Sequence, residues 1–105
     1  MDKKVRITVL KRELYSDLVE AYSKDNIVAE KCGFYTEGQV FEIEASELNS
    51  IPAGFCSWAW ADLHRDIMAM YHGADYFWAK DNGSVVACCT DGFRPVVFLI
   101  ERIEE

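Results

Sequence analysis

An α+β domain with the order β-α-β-α-β-β follows from three features of the chain. Val5, Ile7 and Val9 alternate with Lys4, Arg6 and Thr8, the period of two that belongs to a strand with one wet face. Trp60, Leu63, Ile67, Met70 and Tyr71 recur at helical spacing and share one face. Val85–Cys89 and Val96–Ile100 are apolar at every position and are separated by Asp91-Gly92, as in two interior strands joined by a hairpin. Together they predict a mainly antiparallel sheet covered by two helices, with residues 1–105 forming a single domain.

The remaining elements fall between these. Leu14, Leu18, Ala21 and Tyr22 make a first helical stripe after the opening strand. Residues 23–38 have no period and carry Asn26, Gly33 and Gly38, so they read as a loop, with Ile27, Val28, Phe34 and Tyr35 expected to pack down. Phe41, Ile43 and Ala45 alternate with Glu42 and Glu44, giving a second strand with one wet face. Pro52 and Gly54 break the chain before the second helix, which runs from Ser57 to about Tyr71. Asp62, Arg65 and Asp66 form its polar side, and Gly73 ends it. The hairpin strands are expected over 84–89 and 95–102, at the centre of the sheet. Pro95 suits a first strand position, where no ladder N–H is needed.

Composition narrows the function class. Half of the 105 residues are hydrophobic and 28% are charged, which suits a folded domain and not a disordered chain. A formal charge of −7 speaks against nucleic acid, whose phosphates require a Lys/Arg surface, and against anionic membranes. The charged start Asp2-Lys3-Lys4-Val5-Arg6 interrupts any signal-type apolar run. A cytoplasmic protein with reduced thiols is therefore expected, without a disulfide framework.

The candidate site rests on cysteine and tryptophan. Cys56 precedes the first turn of the second helix, where unsatisfied N–H groups and the helix dipole favour an anion. It is either a reactive thiol or soft ligand, or a small hydrophobe filling the corner after Gly54. Cys88 and Cys89 are adjacent on a strand, so one faces each side of the sheet and only one of them can join Cys56. Cys32, beside Lys31 in the middle loop, could add a third sulfur. A soft metal or cluster is conceivable, but these cysteines are widely spaced and no C-x-x-C occurs, unlike zinc knuckles. Neither a metal nor a cofactor is identified.

His64 falls inside the apolar arc of its helix. It is either a general base or ligand, or a core histidine bonded to a backbone carbonyl. His72 lies two turns on, about 12 Å away, too far to share a metal with it. Asp91 and Arg94 bracket the hairpin: Arg94 could clamp an anion, or Asp91 could shape its turn and pair with Arg94. Trp58 points to the polar side of the helix, and Tyr76, Phe77 and Trp78 follow in the next loop. So small a domain has difficulty burying all four, which suggests an aromatic interface.

Lys4-Val5-Arg6-Ile7-Thr8-Val9-Leu10, Glu37-Gly38-Gln39-Val40-Phe41 and Glu101-Arg102 accompany two distinctive blocks. These are Phe55-Cys56-Ser57-Trp58-Ala59-Trp60-Ala61-Asp62 and Cys88-Cys89-Thr90-Asp91-Gly92-Phe93-Arg94-Pro95-Val96. Over nearly its whole length the chain resembles the TIGR04076 family of small prokaryotic proteins. The resemblance implies a stand-alone cytoplasmic domain and carries over no catalytic residue. The expectation is a non-catalytic binding or self-assembly module, as a homo-oligomer and most simply a two-fold dimer. The alternative is a thiol-centred site, Cys56 with Cys32 and Cys88 or Cys89, that binds a soft metal or cluster or senses redox state.

Overall fold

The computed structural model describes residues 3–25 and 27–104. Asp2 and Asn26, read above as parts of the charged start and the middle loop, lie outside the described residues, as do Met1 and Glu105. The elements are β1 (Lys3–Arg12), α1 (Ser16–Tyr22), β2 (Val40–Glu44), a single 3-10 turn (Ala45–Glu47), α2 (Ser57–Tyr71), β3 (Ser84–Cys88) and β4 (Val96–Glu104). The strands form one antiparallel sheet in the order β2-β1-β4-β3. The expected α+β order is the one observed.

Alternation in β1 and β2 sorts the two faces of the sheet. Val5, Ile7 and Val9 pair across the ladders with Ile43, Phe41, Ile100 and Phe98, and all are buried. Ala59, Trp60, Leu63, Ile67 and Met70 of α2 close this face. Phe41, Phe55, Trp60, Phe98 and Tyr35 meet there edge-on, with ring centroids 4.8–6.1 Å apart, the spacing that aromatic quadrupoles favour. The opposite face is the more exposed one. Lys4 and Arg6 bind Glu42 across it at 3.0 and 3.1 Å, and Val86 and Cys88 are exposed.

Three expectations about the hairpin and helices are corrected. Strand β3 is an edge strand rather than half of a central hairpin; its apolar outer residues face the uncovered side of the sheet, a condition that residue type alone does not distinguish from an interior position. Asp91-Gly92 is not a tight two-residue turn, and Gly92 lacks the positive φ that turn needs. Instead the Asp91 carboxylate accepts the Phe93 and Arg94 N–H groups at 3.0 and 3.1 Å, an Asx-type arrangement in a longer connection. Asp66 is buried rather than on a wet face, where the Tyr76 hydroxyl donates to it at 2.9 Å.

Helix α1 occupies the expected stretch, yet none of its residues is buried. Ile27 and Phe34 are exposed as well, and of the four loop residues expected to pack down only Tyr35 is buried. The end of α2 follows its sequence signal closely. Gly73 takes φ +99°, and the Gly73 and Ala74 N–H groups bond Met70 O and Ala69 O at 3.2 and 2.9 Å, the paired bonds of a Schellman ending. From β4, Arg102 reaches over this end and donates to Met70 O, Ala74 O and Asp75 at 2.9–3.1 Å.

Candidate functional site

A bulge in β1 prepares the site. Val9 pairs with Phe98, but the register then shifts so that Lys11 pairs with Val97 and Arg12 with Val96. Residues directly opposite one another share a face, so the extra residue, Leu10, turns Arg12 to the helix side of the sheet. From there the Arg12 guanidinium donates to Cys32 O at 3.0 Å, while its backbone N–H meets Glu37 at 3.1 Å. The aperiodic middle loop is thereby tied to β1.

Beside this loop lies a half-open cavity of about 610 Å³. Its walls come from three places: Cys32, Phe34 and Tyr35 of the middle loop; Cys56, Trp58, Ala59 and Asp62 at the start of α2; and the 89–94 connection with Val96. Cys32, Cys56 and Cys89 therefore border one space. The volume falls within the roughly 300–1,000 Å³ of small-molecule sites, which are mostly apolar with a few placed polar groups.

Each polar group has a definite station. The Tyr35 side chain is 4% exposed, and its oxygen accepts the Cys56 N–H at 3.0 Å. Burial pushes the Tyr35 hydroxyl up to about 12; the Cys56 N–H opposes this, and the nearby Cys56, Cys32 and Cys89 groups add to it. The hydroxyl thus keeps its proton at neutral pH. Cys56 is the N-cap residue of α2, yet its side chain makes no capping bond. Cys89 Sγ accepts the Val96 N–H at 3.3 Å. Asp62 accepts both the N–H and the hydroxyl of Thr90 at 2.8 and 3.0 Å, pinning the connection to α2. Asp91 pairs with Arg94 Nε at 3.2 Å; burial raises its carboxyl, but the two backbone donors and Arg94 outweigh this and hold it below the usual carboxylate range.

The adjacent cysteines separate as strand parity requires. Cys89 borders the cavity, whereas Cys88 is exposed and lies outside it. All four cysteines are free thiols, and among the described residues no group of three His, Cys, Asp or Glu side chains is arranged to hold a metal ion. His64 does not reach the cavity: its Nε2 lies 2.9 Å from Leu48 O and its ring packs on Trp60 at 5.4 Å. Asp91 and Arg94 do border it, as does Trp58, which is 79% exposed.

A neighbouring hollow of about 500 Å³ lies beyond Asp62 and Thr90, which line both spaces. Tyr76 and Trp78 border it, stacked at 4.6 Å, while Phe77 is 95% exposed beside them. Sequence reasoning did not place Phe34, Tyr35, Ala59, Asp62, Thr90, Gly92, Phe93 or Val96 at the site. Asp62 and Thr90 belong to the two distinctive blocks, but only the folded chain pairs them; Tyr35, expected to pack down from an aperiodic loop, gave no signal of where it would pack.

Fold and site define a small α+β domain with a thiol-bordered cavity beside a four-stranded sheet. Comparison with family models, with curated proteins and with solved structures finds no match for this chain. Among the described residues no helix is long and apolar enough to cross a membrane.

Proposed function

We propose that the chain is a non-catalytic binding module whose site is the cavity between the middle loop, the start of α2 and the 89–94 connection. The supporting observation is convergence: three segments far apart in sequence bring apolar walls, a buried hydroxyl and three thiols around one space of about 610 Å³. Phe34, Trp58, Phe93 and Val96 supply the apolar area, and the net charge of −7 favours a neutral or cationic ligand over an anion. The resemblance to the TIGR04076 family is compatible with a stand-alone role of this kind. The neutral dye N-phenyl-1-naphthylamine tests the reading. It is expected to bind saturably at one site, with Phe93→Ala weakening it at least about tenfold, as loss of an aromatic wall of the site should, and Trp78→Ala leaving it unchanged. Non-saturating binding, or equal binding by both variants, would contradict the reading.

Self-association is a second reading, supported by Phe77 and Trp78 at 95% and 64% exposure beside the free edge of β3. Apolar residues so exposed, next to a strand edge without a charged residue, are natural contact surfaces. Light scattering at micromolar concentration should give a dimer mass that Trp78→Ala reduces to that of a monomer; a monomer mass for the unaltered chain would end this reading.

A further inference from the structure

We infer that α1 is an exchanged arm: in a two-fold dimer, α1 of each copy lies on the apolar half of the other copy's more exposed sheet face. The inference rests on the self-association reading and names the segment that makes the contact. Helix α1 has seven residues, none of them buried. An isolated helix is marginal in water below about 12–15 residues, so a helix this short needs something to pack on. Tyr15, Leu18 and Tyr22, spaced i, i+3 and i+7, are all exposed, the anchor pattern of a helix that docks on a partner. Asp17 and Glu20 fall on the opposite side of the helix, so the stripe is uncharged. The chain runs away from the sheet to reach α1. The Glu13 and Tyr15 N–H groups donate to Pro95 O and Phe93 O at 3.0 and 2.9 Å, prolonging β1 past its last residue, Arg12. The Cα radius of gyration is 15.0 Å, against about 13 Å for a compact chain of this length, in keeping with a projecting arm.

The surface that fits the arm is on the same chain. Val40, Thr8, Leu99 and Val86 form one row across the four strands. Residues opposite one another share a face, and Val40 and Val86 are exposed on it. The next row toward Arg12 holds Lys11, Val97 and Cys88. On the other side lie Glu42, Arg6, Glu101 and Ser84, so this face divides into an apolar half and a polar half. Four strands span about 14 Å at about 4.8 Å per gap, and seven helical residues about 10 Å, so the arm fits within the width of the sheet. Lys11 is exposed and forms no ion pair among the described residues; the ring of Tyr15 or Tyr22 gives its ammonium a favourable face. Trp78 borders the same hollow as Val86 and Cys88, so the contact continues onto the aromatic patch of the self-association reading. A two-fold axis makes both contacts at once and leaves neither an arm nor an apolar half unpaired, which selects a second copy as the occupant.

Light scattering at micromolar concentration and thiol cross-linking test the arm. The unaltered chain should give a dimer mass. Leu18→Asp on the arm and Val86→Asp on the sheet should each give a monomer mass. Ile51→Asp, at an exposed position beyond the 3-10 turn, should leave the dimer intact. Should either of the first two not fold, Leu18→Cys gives the same decision. Mild oxidation should join the introduced thiol to Cys88 of the partner subunit, a covalent dimer that peptide mapping identifies and Cys88→Ser removes. Cross-links only between the two Cys88 thiols, or between the introduced thiol and Cys88 of the same chain, would overturn the inference. A dimer that Trp78→Ala dissociates and Leu18→Asp does not would refute the arm and leave self-association standing. A monomer mass for the unaltered chain would refute both.

Discussion

Tyr35 and Cys56, twenty-one residues apart, are joined by a 3.0 Å hydrogen bond in which the Cys56 backbone N–H donates to the Tyr35 hydroxyl oxygen. One contact thus ties an aperiodic loop to the first turn of α2 and brings the loop's Cys32 to the space that Cys56 and Cys89 border. Because an α-helix leaves its first N–H groups without internal partners, a loop that supplies an acceptor beside them is held in place by the helix itself.

The first expectation concerns pH. The Tyr35 hydroxyl is raised from its ordinary value of 10.0 to about 12, so between these values the folded chain holds a proton that the unfolded chain has released. The unfolded state then binds fewer protons, and stability must fall as pH rises through that window. Below pH 10 both states are protonated at this site and it contributes no pH dependence. Phenolate absorbance should show a tyrosine titrating near 12 that Tyr35→Phe removes, and the variant should lose less stability than the unaltered chain across the window.

The two tryptophans of α2 should behave oppositely. Trp60 is 7% exposed and packs edge-on against Phe55 at 5.8 Å; Trp60→Ala should cost about 3–5 kcal/mol in urea unfolding, the usual loss for a buried aromatic. Trp58 projects outward at the cavity mouth, so Trp58→Ala should stay within about 0.5 kcal/mol of the unaltered chain while weakening ligand binding.

At the other end of α2 the cost is conformational. No atom outside the glycine and its chain neighbours lies within 4 Å of where a Gly73 Cβ would stand, so Gly73→Ala meets no obstruction. It must nevertheless hold φ +99°, which should cost about 1–2 kcal/mol for an L residue. A thermal melt identical to that of the unaltered chain would show that the Schellman bonds do not fix this turn.

Arg102 makes a different kind of ending. Its guanidinium bridges Met70 O, Ala74 O and Asp75, an arrangement that needs several donors in one plane. Arg102→Ala should destabilise by about 1.5–3 kcal/mol, the range for hydrogen bonds from a charged donor, and Arg102→Lys should recover only part of that. Equal stability of Arg102→Lys and the unaltered chain would show that charge alone suffices.

Much of the fold was legible because one face of the sheet is wet. Lys4, Arg6 and Glu42 sit opposite Val5, Ile7 and Phe41, so alternation marked β1 and β2 directly. Strand β3 misled because Val86 and Cys88 are apolar yet exposed: residue type reports neither which strand lies at the edge nor which face a helix covers. The stripe in α1 was real as a period, but a period does not show that anything packs against it. At the site, Cys56, Asp91 and Arg94 were visible from the helix start and the connection, and strand parity split Cys88 from Cys89. Parity alone could not say which faced the cavity; the burial of Val85, two residues from Ala87 and four from Cys89, decides that. Tyr35 was expected to pack down, but its place at the site stayed hidden because it depends on a tertiary bond to Cys56 and on a bulge at Leu10.

The cavity as the ligand site is tested most directly by amide chemical shifts of the labelled protein titrated with the neutral aromatic ketone 4-phenyl-2-butanone. Saturating shifts are expected at Tyr35, Cys56, Ala59, Thr90, Phe93 and Val96, with Phe77, Val86 and Ile103 unmoved. Shifts centred on Tyr76–Trp78 and β3, or no saturating shift at any amide, would contradict it.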